Sequence, residues 1–241
     1  MVEERRGAWF QVFDLPLRVF HFLFAASFVG AFGIPQLVEA DSFLFPFHMT
    51  CGVVLLSLVV WRLYWAFRGE FWSRWRVFQL RPRLLFNYFR EVSFIFSRAA
   101  EHTRPGHNPA TSWVALGMFV LVFLLVGSGI GMIQNQELRV DLEIVHELLA
   151  QVFLILSLTH ILGVWIHSWR FRDRIWLSMW SGRKYLHSKV LQIARTRPLA
   201  AAVLIFWVLL WLGFFFSKYD PESGQLQMGS SRWQLRDKDW D

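Results

Sequence analysis

The 241-residue chain has almost no cysteine, and this scarcity excludes several classes of site. Cys51 is the only cysteine, whereas a disulfide framework, a cysteine-based zinc site or a cysteine-ligated iron–sulfur cluster needs several sulfurs. No C-x-x-C-H motif occurs, which excludes a covalently attached c-type haem. The sequence also lacks an internal repeat and a nucleotide-binding glycine loop.

What the chain has in excess is apolar and aromatic residues. Hydrophobic residues make up 55% and aromatic residues 18%, with 14 Trp and 25 Phe, which is more than a soluble core uses. The formal net charge of +7 is spread over the stretches between apolar runs and does not collect on one soluble domain. We therefore expect the lipid membrane to be a partner, and we do not expect nucleic acid to be one.

Five apolar runs are long enough to cross about 30 Å of hydrocarbon at about 1.5 Å per residue. They predict an all-α integral membrane protein. The opening segment carries charges of both signs and lacks the small-residue cleavage site of a secretory signal, so we expect the first run to remain in the mature protein. The runs cover residues 18–36, 46–66, 113–133, 144–167 and 199–217.

Arginine and lysine predict the orientation of the spans. Residues 62–112 hold nine Arg against three Glu, and residues 168–198 hold eight Lys or Arg against one Asp. The short loops around 39–41 and 137–143 are net acidic. By the positive-inside rule, the N-terminus and both basic stretches lie in the cytoplasm of a bacterial cell, and the C-terminus is periplasmic. We expect the polar tail, residues 217–241, to be disordered until a partner orders it.

Four histidines fall inside the spans or at their edges, where an ionisable group is costly unless it has a partner. They are His21, His48, His146 and His160. His146 and His160 share the fourth span and are 14 residues apart. On a helix, their side chains therefore lie within about 40° of the same face and about 21 Å apart along the axis. This separation is too large for one metal ion and suits two stacked cofactors.

The topology matches these histidines by depth. The first span runs outward and carries His21 near its cytoplasmic start, at the level of His160. The second span runs inward and carries His48 near its periplasmic start, at the level of His146. Two histidine pairs that each bridge two helices at one depth are what bis-histidine haem ligation requires. We predict that His21 and His160 bind an inner haem iron and that His48 and His146 bind an outer one.

Alternatives to these assignments remain. His167 lies seven residues after His160 on nearly the same face and competes with it as the inner ligand, although its depth places it among the headgroups. Any one histidine in a span is as often a hydrogen-bonded helix residue. Arg18 and Arg62 are candidates to pair the inner haem's propionates, although snorkelling to the interface is the commoner use of such arginines. The histidines of the basic loops, which we do not expect to bind iron, are His102, His107 and His187.

Six short segments have the order and spacing of one family's motifs. They are Asp14-Leu-Pro-Leu-Arg-Val-Phe-His21, His48-x-x-x-Gly52, Gly106-His-Asn-Pro109, His146-Glu147, His160-x-x-Gly163 and Met179-x-x-Gly182-Arg-Lys184. With them, residues 9–187 resemble the bacterial cytochrome b-561 family, which includes the b-type cytochrome subunit of nickel–iron hydrogenases. The resemblance implies a four-helix di-haem bundle over residues 1–187, two haem b groups, the same four histidine ligands and quinone-linked electron transfer.

Residues 188–241, with the fifth span and the tail, lie outside that four-helix unit and are expected to serve a different partner. With both axial positions of the iron filled, the chain would act as an electron-transfer subunit of a respiratory oxidoreductase and not as a stand-alone enzyme. The expected partners are quinone and a periplasmic c-type cytochrome or a hydrogenase or dehydrogenase subunit. The sequence leaves open whether the chain forms a homo-oligomer.

Two other functions compete with electron transfer. A transporter or proton channel would use the histidines as a relay, but Glu147 is the only acidic residue close to such a path. A haem-free membrane assembly subunit would act through the fifth span and the tail.

The predicted orientation can be tested with fused reporters. A reporter that is active only in the periplasm should work when it is fused after Asp241 and should be silent when it is fused at residue 190. The two fusions control for each other because they differ by a single span. The opposite pattern would exchange the inner and outer sides of both histidine pairs.

Overall fold

A computed structural model describes residues 8–93, 108–171, 174–186 and 195–235. His102, His107 and His187 lie outside these residues. The described chain is mostly helical, and short 3-10 turns lie at Phe71–Ser73, Trp75–Val77 and Ile175–Leu177. The helices are α1 (Leu15–Leu37), α2 (Phe45–Arg68), α3 (Pro82–Ser93), α4 (Pro109–Gln134), α5 (Arg139–Phe171), α6 (Ser178–Ser181) and α7 (Pro198–Lys218).

Five of these helices, α1, α2, α4, α5 and α7, are long and apolar enough to cross a membrane. The prediction of a helical membrane protein with five spans is therefore confirmed. Each helix begins one to five residues before the predicted run. Proline stands at the first or second position of four of them, where its missing N–H costs nothing. These prolines are Pro16, Pro46, Pro109 and Pro198.

Side chains that precede two of the spans explain where those spans begin. The Asp14 Oδ1 atom accepts the backbone N–H of Leu17 at 3.0 Å and caps α1. The Asn108 Oδ1 atom accepts the backbone N–H of Thr111 at 2.7 Å and caps α4. Such polar residues do not contribute to an apolar run, so a search for apolar runs places the starts of α1 and α4 too late.

The chain divides into two compact units, and the five long helices contribute residues to both of them. The first unit comprises Met1–Val19, Arg62–Met118 and Leu154–Ala201. The second unit comprises Phe20–Trp61, Phe119–Phe153 and Ala202–Asp241.

A small antiparallel sheet in the first unit joins the start of the chain to the segment after α5. Strand β1 (Ala8–Gln11) pairs with β2 (Arg183–Leu186). Gly182 precedes β2 with a φ of 76°, a left-handed conformation that glycine adopts without strain. Its carbonyl oxygen accepts the N–H groups of Val12 and Phe13 at 2.9 and 3.0 Å, which fixes the approach of the chain to α1.

Asp14 is the polar centre of the first unit and is fully buried. Besides capping α1, its carboxylate accepts the indole N–H of Trp65 at 3.1 Å and the backbone N–H of Glu70 at 3.2 Å. The two oxygens thus take three hydrogen bonds, which offset the cost of burying a charge. The start of α1 is thereby bound to the end of α2.

Phenylalanine rings form much of the core of the second unit. Phe28 and Phe153 stack with their centroids 4.6 Å apart, and Phe24 meets Phe119 edge-to-face at 6.4 Å. Most of the remaining apolar surface faces outward: only 6% of the membrane-spanning window of α5 is buried. Such a surface is suited to lipid and unsuited to water.

Residues 219–235 of the tail are folded, so for them the prediction of disorder before partner binding was wrong, and residues 236–241 lie outside the described residues. The folded part forms a three-stranded antiparallel sheet in which β3 (Tyr219–Asp220) pairs with β4 (Gln225–Met228), and β4 pairs with β5 (Ser231–Gln234). Gly224 and Gly229 adopt positive φ values and permit the tight connections between the strands. The Tyr219 ring stacks on Phe215 at 5.1 Å and attaches the sheet to α7.

Replacing Asp14 with Ala should destabilise the protein, because the indole of Trp65 and two backbone N–H groups lose their acceptor in a buried site. A loss of about 1–3 kcal/mol is expected and would appear as a lower apparent melting temperature in detergent. Asp14→Asn, which keeps one acceptor oxygen, should lie in between. As a control, Asp220→Ala at the end of β3, where the hydrogen bonds of the carboxylate are exposed to solvent, should change stability by about 0.5 kcal/mol or less. Equal melting temperatures for Asp14→Ala and the unmodified protein would contradict this role.

Candidate functional site

The rings of His48 on α2 and His146 on α5 lie close together in the second unit. Their ring centroids are 6.0 Å apart and their planes are inclined by 72°. Two imidazoles that bind one metal ion from opposite sides, with metal–nitrogen bonds of about 2 Å, have centroids about 6 Å apart. The observed separation therefore fits one iron between the two rings.

The Nδ1 atom of His48 is hydrogen-bonded to the carbonyl oxygen of Ala31 on α1. A carbonyl can only accept, so Nδ1 carries the proton and donates it. The Nε2 atom of His48 is then the unprotonated nitrogen, the form in which histidine binds a metal.

The ring of His146 is held in the same tautomer by Ser128 of α4. Ser128 donates its single hydroxyl hydrogen to the carbonyl of Leu125 at 3.0 Å. Its Oγ atom, 2.9 Å from the Nδ1 atom of His146, therefore accepts from that nitrogen. Both rings of the pair consequently offer Nε2 as a ligand, each oriented by a hydrogen bond on the opposite side of the ring.

This pair fits the ligand set of a haem. The porphyrin supplies four bonds to the iron, so the protein needs to supply only two. Within the described residues no group of three or more His, Cys, Asp or Glu is close enough to hold a metal ion by protein ligands alone. Gly129 faces His146, and a methyl group there would come within 3.7 Å of the Cε1 atom.

The second predicted pair is divided between the two units. His21 lies on α1 in the second unit, with its ring 5.8 Å from that of Phe22. His160 lies on α5 in the first unit. Both side chains are half-buried. Their ligation of an inner iron stays a prediction.

His167, the competing candidate for the inner ligand, is hydrogen-bonded within the first unit. Its Nδ1 atom lies 3.0 Å from the hydroxyl of Tyr88, and the two rings stack at 6.2 Å. The same hydroxyl accepts the side-chain amide of Asn108 at 3.3 Å. The contact with Tyr88, whose hydroxyl also binds Asn108 at the start of α4, thus gives His167 a structural role. The choice of His160 over His167 as the inner ligand stays a prediction.

The two arginines that were candidates for propionate binding differ sharply. Arg18 donates from Nε to the carbonyl of Met179 at 3.0 Å and from Nη2 to the carbonyl of Trp180, so it holds α6. Arg62 is buried, and neither of its Nη atoms has a hydrogen-bond acceptor within the described part of the chain.

Sequence reasoning missed the residues that orient the candidate ligands. Ser128 and the carbonyl of Ala31 lie on different helices from the rings they contact, and no periodicity links them to those rings. The role of Asp14 had a signal in the sequence, since an aspartate directly before an apolar run that begins with Leu-Pro is typical of a helix N-cap. Tyr88 offered none.

A family model described as prokaryotic cytochrome b561 matches residues 12–182. The chain belongs to this family. The match includes His21, His48, His146 and His160, so this cytochrome b561 family member is a membrane protein of the b-type cytochrome kind, to which the family assigns haem b and electron transfer. No curated protein and no solved structure matches it significantly.

The prediction that His146 binds a haem iron implies that replacing Ser128 with Ala should raise the midpoint potential of that haem. Without the hydrogen bond to Ser128, the Nδ1–H bond of His146 is less polarised, so the ring carries less negative charge and donates less electron density to oxidised iron. A neutral hydrogen bond of about 1 kcal/mol corresponds to a shift on the order of tens of millivolts in a redox titration. Ser57→Ala is the matched control, because Ser57 makes the same kind of bond to its own helix, to Val54. A shift of equal size in both variants would contradict the assignment.

Proposed function

We propose that the protein is a di-haem b-type cytochrome that passes electrons between a periplasmic redox partner and the quinone pool. In this proposal α1, α2, α4 and α5 form the four-helix di-haem bundle. His48 and His146 bind the outer iron, and His21 and His160 bind the inner one.

The observation that carries the proposal is the His48–His146 pair. Two histidines inside apolar helices are costly to bury, and their hydrogen bonds to Ala31 and Ser128 leave Nε2 of each ring without a proton. A single metal ion between the rings would use the Nε2 lone pairs of both His48 and His146, and the 6.0 Å separation of the ring centroids would suit it. A proton-relay channel gains nothing from two rings fixed in this tautomer.

The ligand set limits the chemistry to relay. A bound haem b supplies a one-electron carrier. Held by the histidine pair, a haem would have no open position for oxygen or substrate, so the chain's residues would hold, orient and insulate the cofactor. We therefore expect the protein to be an electron-transfer subunit within a larger oxidoreductase.

The partners are inferred from the family and from the predicted orientation. A periplasmic c-type cytochrome or a hydrogenase or dehydrogenase subunit would exchange electrons at the outer haem, and quinone would exchange them from within the membrane. Helix α7 and the sheet β3–β5 are additional to residues 12–182, the part matched by the family. We propose that they contact a partner specific to this chain.

The haem content of the detergent-purified protein tests this function. Its reduced spectrum should show a b-type α-band, and the pyridine haemochrome should give about two haems per chain. His48→Ala should leave about one haem, because its iron loses an axial ligand while the inner pair is untouched.

His167→Ala is the matched control, since it also removes an imidazole from a helix end but should leave two haems. His160→Ala should abolish the inner haem. Protein that folds and contains no haem would overturn the proposed function. Loss of a haem in His167→Ala, with two haems retained in His160→Ala, would move the inner ligand to His167.

A further inference from the structure

Arg62 is a charged side chain whose burial the protein itself does not explain. Only 2% of the residue is exposed, and both Nη atoms are buried without a hydrogen-bond acceptor within the described residues. A guanidinium has five N–H donors, and burying them without acceptors costs several kcal/mol. A structure that retains such a group is expected to offer it to an anion.

The contacts around Arg62 within the first unit hold the charge without satisfying its donors. The guanidinium lies over the ring of Phe78 at 5.7 Å, a cation–π contact. Asp14 is near enough to attract it electrostatically. The carboxylate oxygens of Asp14, however, are taken by Leu17, Trp65 and Glu70. Asp14 is therefore a positioning residue that compensates part of the charge while the Nη atoms stay available.

The position of Arg62 on α2 repeats the spacing of the candidate ligands on α5. Arg62 follows His48 by 14 residues, as His160 follows His146. In both helices the second residue of the pair lies within about 40° of the same helix face and about 21 Å further along the helix axis. Along α2, Arg62 thus occupies the position that corresponds to the inner haem level, where α5 carries His160.

We propose that Arg62 binds a propionate carboxylate of the inner haem and raises the midpoint potential of that haem. The inference rests on the proposed di-haem function. A carboxylate matches the two Nη donors in a bidentate, charge-assisted pair. Arg18 does not take this role, because its Nε and Nη2 atoms already bind the carbonyls of Met179 and Trp180.

The test is a redox titration of Arg62→Gln, with Arg68→Gln as the control. Arg68 lies on the same helix, carries the same charge and is exposed. Arg62→Gln should retain two haems, and at a fixed applied potential the ratio of reduced to oxidised inner haem should fall about tenfold, because a nearby positive charge favours the added electron. The titration repeated in the His48→Ala background, which lacks the outer haem, identifies the haem that shifts. Arg62→Lys should show a smaller fall, and it replaces the glutamine variant if that variant does not fold.

Reconstitution with haem whose propionates are methyl esters identifies the anion. The ester removes the carboxylate charge, so it should raise the inner potential of the unmodified protein. If Arg62 binds a propionate, the ester should also weaken the binding of the inner haem to the unmodified protein and should weaken it little further in the Arg62→Gln variant. Additive losses of haem affinity would overturn the proposal and indicate another anion, such as a lipid phosphate. Unchanged potentials in a two-haem Arg62 variant would also overturn it. Absence of haem from the unmodified protein would instead overturn the proposed function.

Discussion

Inside a bilayer no water is available to polar side chains, so each histidine or arginine within a span must obtain its hydrogen bonds from the protein or from a bound group. The described structure meets this constraint in two ways. The Nδ1 sides of His48 and His146 are satisfied by Ala31 and Ser128, which belong to neighbouring helices. The tautomers of the two rings leave each Nε2 atom without a proton, and the Nη atoms of Arg62 have no hydrogen-bond acceptor within the described residues. A haem offers an electrophilic iron for the first and carboxylates for the second.

The buried carboxylate of Asp14 shows how the same constraint shapes the fold. It lies directly before α1 and binds groups at the end of α2, so one side chain caps a span and joins two helix ends. The attraction to Arg62 adds a charge to this network. Part of the family's motif, from Asp14 to His21, can therefore be understood as structural: the aspartate positions the helix, and the histidine seven residues later is the candidate ligand.

The spans could be predicted from the sequence because hydropathy is a local property, read directly from runs such as 199–217. The separation of His146 and His160 could also be predicted, since helical geometry alone determines it. The sheet β3–β5 of the tail could not be predicted, because it depends on the pairing of β4 with both neighbours and on the stacking of Tyr219 on Phe215. The orientation of the rings likewise depends on contacts between distant residues, such as Ser128 with His146, that leave no periodic pattern.

Arg62 shows why the sequence position of an arginine does not reveal whether its side chain is hydrated or buried. In the sequence it resembles any arginine at the cytoplasmic end of a span, where the long side chain usually reaches the interface and stays hydrated. The structure buries it against Phe78 and near a carboxylate that already accepts three hydrogen bonds, an arrangement that a snorkelling side chain would not need. Water screens the charge of a hydrated arginine, so it has little electrostatic effect inside the membrane. A buried arginine lies in a medium of low dielectric constant and interacts more strongly with any nearby group whose charge changes. An inner haem that accepts an electron would be such a group.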